Sequence, residues 1–275
     1  MIFVQRAAPP DGEKERIAEA ERIIDAAEEK GVVLRLIGGL AVRNHCVITY
    51  FCEREYLDID FVGLTKQSRE ITLLLDGLGY EENRNVRLVS GGLQLQFYRE
   101  NLEDHIDVFL GTLRMEHDLS LKNRLNIEDY TISVSDLLLS KLQIYEINEK
   151  DARDTLAIVK DLPLGGEDEK GVINVKYIAE ICAKDWGWYK DVTTNINRYL
   201  GLMQHYNLRP EEIEIIKSKL GRIREEIEKA PKTLEWKLRA RIGERKAWRR
   251  TVEDQGLSES DIDEELRKKQ RPTQI

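Results

Sequence analysis

The sequence predicts an α+β protein, with a mixed β-sheet and flanking helices over residues 1–162 and a helical domain over 163–275. Short runs with a period of two recur as far as Phe109, the mark of half-buried strands. From Ser133 onward the apolar residues recur at helical spacing instead. The turn Pro163-Leu164-Gly165-Gly166, followed by the charged run Glu167 to Lys170, is the boundary between the two.

Taken in order, a first helix is expected from Asp11, a good N-cap, to Gly31 just past its end, with Ile17, Ile24 and Ala27 on one face. Val32 to Ile37 reads as a buried strand, and a helix starts again within Leu40 to Asn44. Between them, Gly38-Gly39 leaves backbone N–H groups open with no Cβ to block an approaching phosphate. Leu57-Asp58-Ile59-Asp60-Phe61 is the next strand, with both aspartates on one face because side chains alternate. Thr65 is expected to cap a helix bearing Ile71, Leu74, Leu75 and Leu78, closed by Gly79. Val86 to Val89 and Leu93 to Phe97 read as a hairpin around Gly91-Gly92. Ile106-Asp107-Val108-Phe109 is a further strand, presenting a third carboxylate.

In the second half, Ser133-x-x-Asp136 and Asp151-x-x-Asp154 both resemble capping boxes. Helices through Tyr177, Ile178 and Ile181, then through Val192, Ile196, Tyr199 and Met203, are expected after the boundary. A third begins at Pro210, and Ile213, Ile216, Leu220, Ile223 and Ile227 form a seam within the bundle or with a partner, which admits a homo-oligomer. The tail after Gln255 is expected to be mobile.

Composition narrows the function classes. A 41% hydrophobic content over 275 residues suffices for a folded core. Apolar runs fall short of a membrane span and no signal-peptide pattern opens the chain, so a cytoplasmic enzyme is expected. Cys46, Cys52 and Cys182, with His45, His105, His117 and His205, show no disulfide or zinc-ligand spacing. The net charge of -8 is segregated, because residues 229–250 carry nine Lys/Arg against Glu235 and Glu244. That segment, Lys232 to Arg250 with Trp236 and Trp248, reads either as an RNA-binding helix or as a solvated helix whose charge pairs with the acidic tail.

Three hard carboxylates suit Mg²⁺ or Mn²⁺ and suggest phosphoryl or nucleotidyl transfer. The order apolar-Gly-Gly, then Asp58/Asp60, then Asp107 resembles the DNA polymerase beta-type nucleotidyltransferase superfamily, over roughly residues 11–162. The resemblance implies that Gly38 and Gly39 hold a nucleoside triphosphate, that Asp58, Asp60 and Asp107 bind two metal ions, and that Arg54 belongs to the nucleotide site. Lys141 and Arg153-Asp154 are similar to motifs of the abortive-infection toxin branch, which adds Lys141 and Asp154 to that site. Read from its own helix, Lys141 sits on an apolar stripe and must contact phosphate, snorkel or pair with Asp154. Two departures, 18 residues between Gly39 and Asp58 and Leu40 in place of a small or hydroxyl residue, leave open a degenerate pocket that binds nucleotide or a partner without turnover. The acceptor, whether RNA, protein or small molecule, is not written in the sequence.

Overall fold

The computed structural model describes residues 11–47, 51–56, 58–99 and 105–250. The side chain of Asp11, Leu57 and the tail after Gln255 lie outside the described residues.

Helix α1 (Asp11–Glu29) buries Ala20, Ile23, Ile24 and Ala27, a full stripe at helical spacing. Gly31 ends it at φ 67°, and Val32 donates back to the Ala27 carbonyl at 2.8 Å. Strand β1 (Leu34–Ile37) runs without a loop into α2 (Gly38–His45), so the glycine pair is the first turn of that helix. Strand β2 (Ile59–Gly63) begins one residue after Asp58, which precedes the strand and is exposed. Thr65 does not cap the next helix. It opens a 3-10 turn and donates to the Leu110 carbonyl, and α3 (Ser68–Gly77) starts from Gln67.

The expected hairpin is not formed. Asn83 accepts from the Asn85 N–H and starts a helix, so Val86 to Val89 fall in α4 (Arg84–Val89), between β3 (Glu81–Glu82) and β4 (Gln94–Tyr98). Gly91 and Gly92, at φ 63° and 77°, close that helix onto the Leu88 and Arg87 carbonyls. Leu88 and Val89 imitated a strand because they point into solvent. Strand β5 (His105–Leu110) follows, then the small hairpin of β6 (Thr112–Arg114) and β7 (Asp118–Ser120).

The sheet order is β1-β2-β5-β4-β3, mixed, with β2 and β5 parallel and the other neighbours antiparallel. Its register separates two faces. Leu34, Leu36, Phe61, Leu95, Phe97, Ile106 and Val108 share one, where Ile71 of α3 would crowd any Cβ on Gly63. Ile37, Asp60, Asp107 and Gln96 lie side by side on the other. An apolar layer on one side and carboxylates on the other is how alternation turns one sheet into both core and site.

Helices α5 (Val134–Leu142) and α6 (Glu149–Asp161) follow. Ser133 caps α5 as expected, accepting from the Asp136 N–H, but α6 is capped by Asn148 rather than Asp151. The helix therefore starts a turn early and carries Asp151 and Asp154 together on its inner side. Strands β8 (Leu164–Gly165) and β9 (Ile173–Asn174) form a two-residue parallel ladder before α7 (Val175–Lys184), α8 (Trp186–Leu202), α9 (Pro210–Lys229) and α10 (Leu234–Ile242).

The seam of α9 is internal. Ile216, Leu220, Ile223 and Ile227 are fully buried against α6, α7 and α8, each contributing about 1.5–3 kcal/mol. That stripe is covered by the chain itself and is closed to a partner. The core is continuous from α1 and the sheet through α5 and α6 into α7–α9. Among the described residues no helix is long and apolar enough to cross a membrane.

Candidate active site

The glycine turn is shaped by what lies on it. A Cβ on Gly38 would stand 2.7 Å from Asp60 Oδ2, and one on Gly39 would collide with the Arg54 guanidinium and stand 2.9 Å from Tyr56 Cδ1. Both glycines are therefore required by side chains that close over the start of α2, and Gly38 also needs its φ of 75°. Arg54 lies 4.0 Å above the Tyr56 ring and grips Asp154 with two nitrogens, at 3.0 and 2.9 Å.

Lys141 resolves its three options in favour of a salt bridge. Its Nζ is 2.9 Å from both Asp151 Oδ1 and Asp154 Oδ2, while its side chain still lines the cleft beside Asp60. Burial opposes the ammonium charge, but Asp154 and Asp151 outweigh it and hold Lys141 above the ordinary lysine pKa. Burial likewise opposes the Arg54 charge, and the hydrogen bond and charge of Asp154 more than offset it. Asp154 is 1% exposed, so it acts on the cleft through the two cations it pins. Arg153 points away, to Glu149 and the Glu53 carbonyl.

Two cavities meet here. One, of about 170 Å³, is polar and is lined by Gly38, Gly39, Arg54, Tyr56, Asp58, Asp60 and Lys141, with Asn148, Lys150 and Asp151. The other, of about 260 Å³, has Ile37, Phe109, Leu113, Met115 and Ile144 as walls. Gly38, Asp60, Lys141 and Asp151 border both.

Asp107 is brought next to Asp60 by the parallel register but lines neither of these cavities. It is buried, accepts from Gln94 Nε2 at 2.9 Å and has His105 Nε2 at 3.1 Å. Among the described residues no three His, Cys, Asp or Glu groups converge as metal ligands. The expected three-carboxylate, two-ion cluster is therefore not preassembled. Asp58 and Asp60 do open on one cavity, and two carboxylates completed by substrate phosphates are a donor set that suits a single Mg²⁺ or Mn²⁺.

Sequence reasoning missed Tyr56, Asn148, Lys150 and the structural part of Asp151. The signal for Asp151 was present, since carboxylates three residues apart share a helix face and an apolar-stripe lysine needed a partner.

The basic segment is not one helix. α10 ends at Ile242, and the residues beyond it fold back. Trp236 meets Tyr189 and Trp248 meets Trp186, both edge to face. Arg249 pairs with Asp191 at 2.9 Å, and Arg250 reaches the Met115 carbonyl and Asp118. These aromatics and arginines are engaged with the body, not presented for stacking bases. Trp188 is buried in the bundle, and Tyr189 is partly buried against it.

No protein-family model and no curated protein matches the sequence. Among solved structures the chain is similar to the antibiotic-resistance factor ANT(2'')-Ia in solution, at 11% identity and a TM-score of 0.39, over 70% of this chain and 97% of that one. It is also similar to the crystal structure of ANT(2")-Ia with adenylyl-2"-tobramycin, at 12% identity and a TM-score of 0.36, over 51% of this chain and 86% of the other. The lincomycin-bound lincosamide antibiotic adenylyltransferase LnuA matches at 20% identity and a TM-score of 0.36, over 50% of this chain and 92% of that one.

Proposed function

We propose that the protein is a nucleotidyltransferase that moves a nucleoside monophosphate from a nucleoside triphosphate to a hydroxyl acceptor. The observation that carries the reading is Asp60, a carboxylate at the junction of a polar, cation-lined cavity over a glycine turn and a second, apolar cavity.

The triphosphate belongs on the polar side. Gly38 and Gly39, whose N–H groups lie in the first turn of α2 and so lack intrahelical partners, line it together with Arg54 and Lys141, which Asp154 holds. Asp58 and Asp60 are the donors for a divalent cation, which when bound would neutralise phosphate charge and polarise the α-phosphoryl group. The acceptor oxygen attacks the α-phosphorus, and the bond from that phosphorus to the oxygen bridging the β-phosphorus breaks. Pyrophosphate leaves with the electron pair, and Asp60 takes the proton of the attacking hydroxyl. Asp107 has no part in the proton transfer, because it lines neither cavity.

Incubation with labelled ATP, GTP, CTP and UTP and Mg²⁺ against RNA, protein and small-molecule fractions tests this. Labelling is expected from the parent and lost in Asp60→Asn at unchanged fold. Equal labelling by that variant would remove Asp60 from the mechanism, and nucleotide binding with no transfer to any fraction would favour the non-catalytic reading.

A further inference from the structure

We infer that the larger cavity binds a small, uncharged alcohol or phenol with an apolar body, and that RNA is not its occupant. The inference rests on the nucleotidyl-transfer reading for the assignment of this side to the acceptor.

The walls Ile37, Phe109, Leu113, Met115 and Ile144 offer nothing to a polar group, so the body of the ligand must be apolar. Two other lining residues are different. The Asp60 carboxylate is an acceptor, and the Ser140 hydroxyl already donates to the Leu137 carbonyl at 2.8 Å, which leaves Ser140 its lone pairs. Two acceptors among otherwise apolar walls call for a ligand that brings an O–H.

Charge disfavours a nucleic-acid acceptor. Lys141 and Asp151 cancel each other at 2.9 Å, and the exposed Arg114 faces Asp118 at 3.9 Å. A phosphate backbone needs a row of cations. The nearby Arg249 and Arg250 are instead committed to Asp191 and to Asp118. A volume of about 260 Å³ holds one compact apolar body.

Binding can be read without turnover, which separates this inference from the activity. Among the three methionines, Met115 lines the cavity and Met203 is buried in the bundle. With ¹³C-methyl methionine, benzyl alcohol is expected to shift the Met115 resonance saturably and to leave Met203 unmoved. Benzyl phosphate and a decauridylate are expected to leave Met115 where it is. Ile144→Trp, which fills the cavity, should weaken the benzyl alcohol response at least tenfold, with the Met203 resonance reporting an intact bundle. An unresponsive Met115, a stronger response to the decauridylate or to benzyl phosphate, or an undiminished response in a folded Ile144→Trp variant would each overturn the inference. Labelling lost in Asp60→Asn alongside an unresponsive Met115 would leave the transfer reading intact and sink this one alone.

Discussion

Two buried aspartates invite comparison, because by burial and partners alone they look alike. Asp154 is 1% exposed and binds Arg54 and Lys141; Asp191 is 3% exposed and binds His117, Trp248 and Arg249. The difference is what lies beyond the cations and donors. Those of Asp154 border a cavity, whereas around Asp191 the His117 ring lies 5.0 Å from Trp188 and Arg249 covers the Tyr145 ring. The first cluster presents charge to a ligand, and the second latches the chain beyond α10 onto the body beside β6 and β7. A buried charge network marks a site only where space adjoins it.

The comparison breaks most visibly at Asp154. Asp154→Ala strands Arg54 and Lys141 with one carboxylate fewer, and is expected to cost about 3–5 kcal/mol in urea unfolding. Asp60→Asn should lower transfer at least about a hundredfold, or about 2.7 kcal/mol of barrier, while unfolding is little changed. For the latch the pattern reverses. Asp191→Ala should cost about 2 kcal/mol of stability and expose residues 246–250 to trypsin, with transfer near the parent rate. Transfer collapsing in that variant would mean that the Asp191 cluster serves the reaction.

Glycines sharpen the contrast at smaller cost. Gly31 and Gly38 both have positive φ, but a Cβ on Gly31 meets nothing within 4 Å while one on Gly38 meets Asp60. Each Ala substitution should cost about 1–2 kcal/mol in backbone strain, and Gly38→Ala alone should also depress transfer.

The smallest effect is on pH dependence near neutrality. Lys141 has its pKa raised by Asp154 and Asp151 over the opposing burial, and burial followed by the Glu149 hydrogen bond pushes Tyr206 up to about 12. For both, the unfolded chain loses its proton first as pH rises, so their contribution is whole below about pH 10 and lost above it. Urea midpoints should be flat in this respect between about pH 7 and 9 and fall beyond about pH 10. A midpoint that rises with alkaline pH would contradict the assigned pairing.

Much of this was legible because it is local. Gly31 as a helix stop, the Ser133 cap and the α9 stripe each depend on a few neighbouring residues, and each stands as read. Asp60 and Asp107 likewise fall on strands as read, and the structure pairs those strands side by side, although Asp58 lies just ahead of its strand. Local reading failed where a short apolar run has no partner to settle its period, as at Leu88 and Val89, which are exposed in a helix. It failed again at Asp151, where an earlier Asn148 cap took the role and released the aspartate to bind Lys141.

By itself the sequence determined the alternating strands, the helix stripes and the glycine turn, since these follow from steric limits and burial over a few residues. Only the tertiary structure decided that Arg54 meets Asp154 across 100 residues, that Asp107 is engaged by Gln94 away from both cavities, and that the basic segment folds back onto Asp191. Charges find partners by distance in space, and no spacing along the chain encodes which carboxylate a buried cation will reach first.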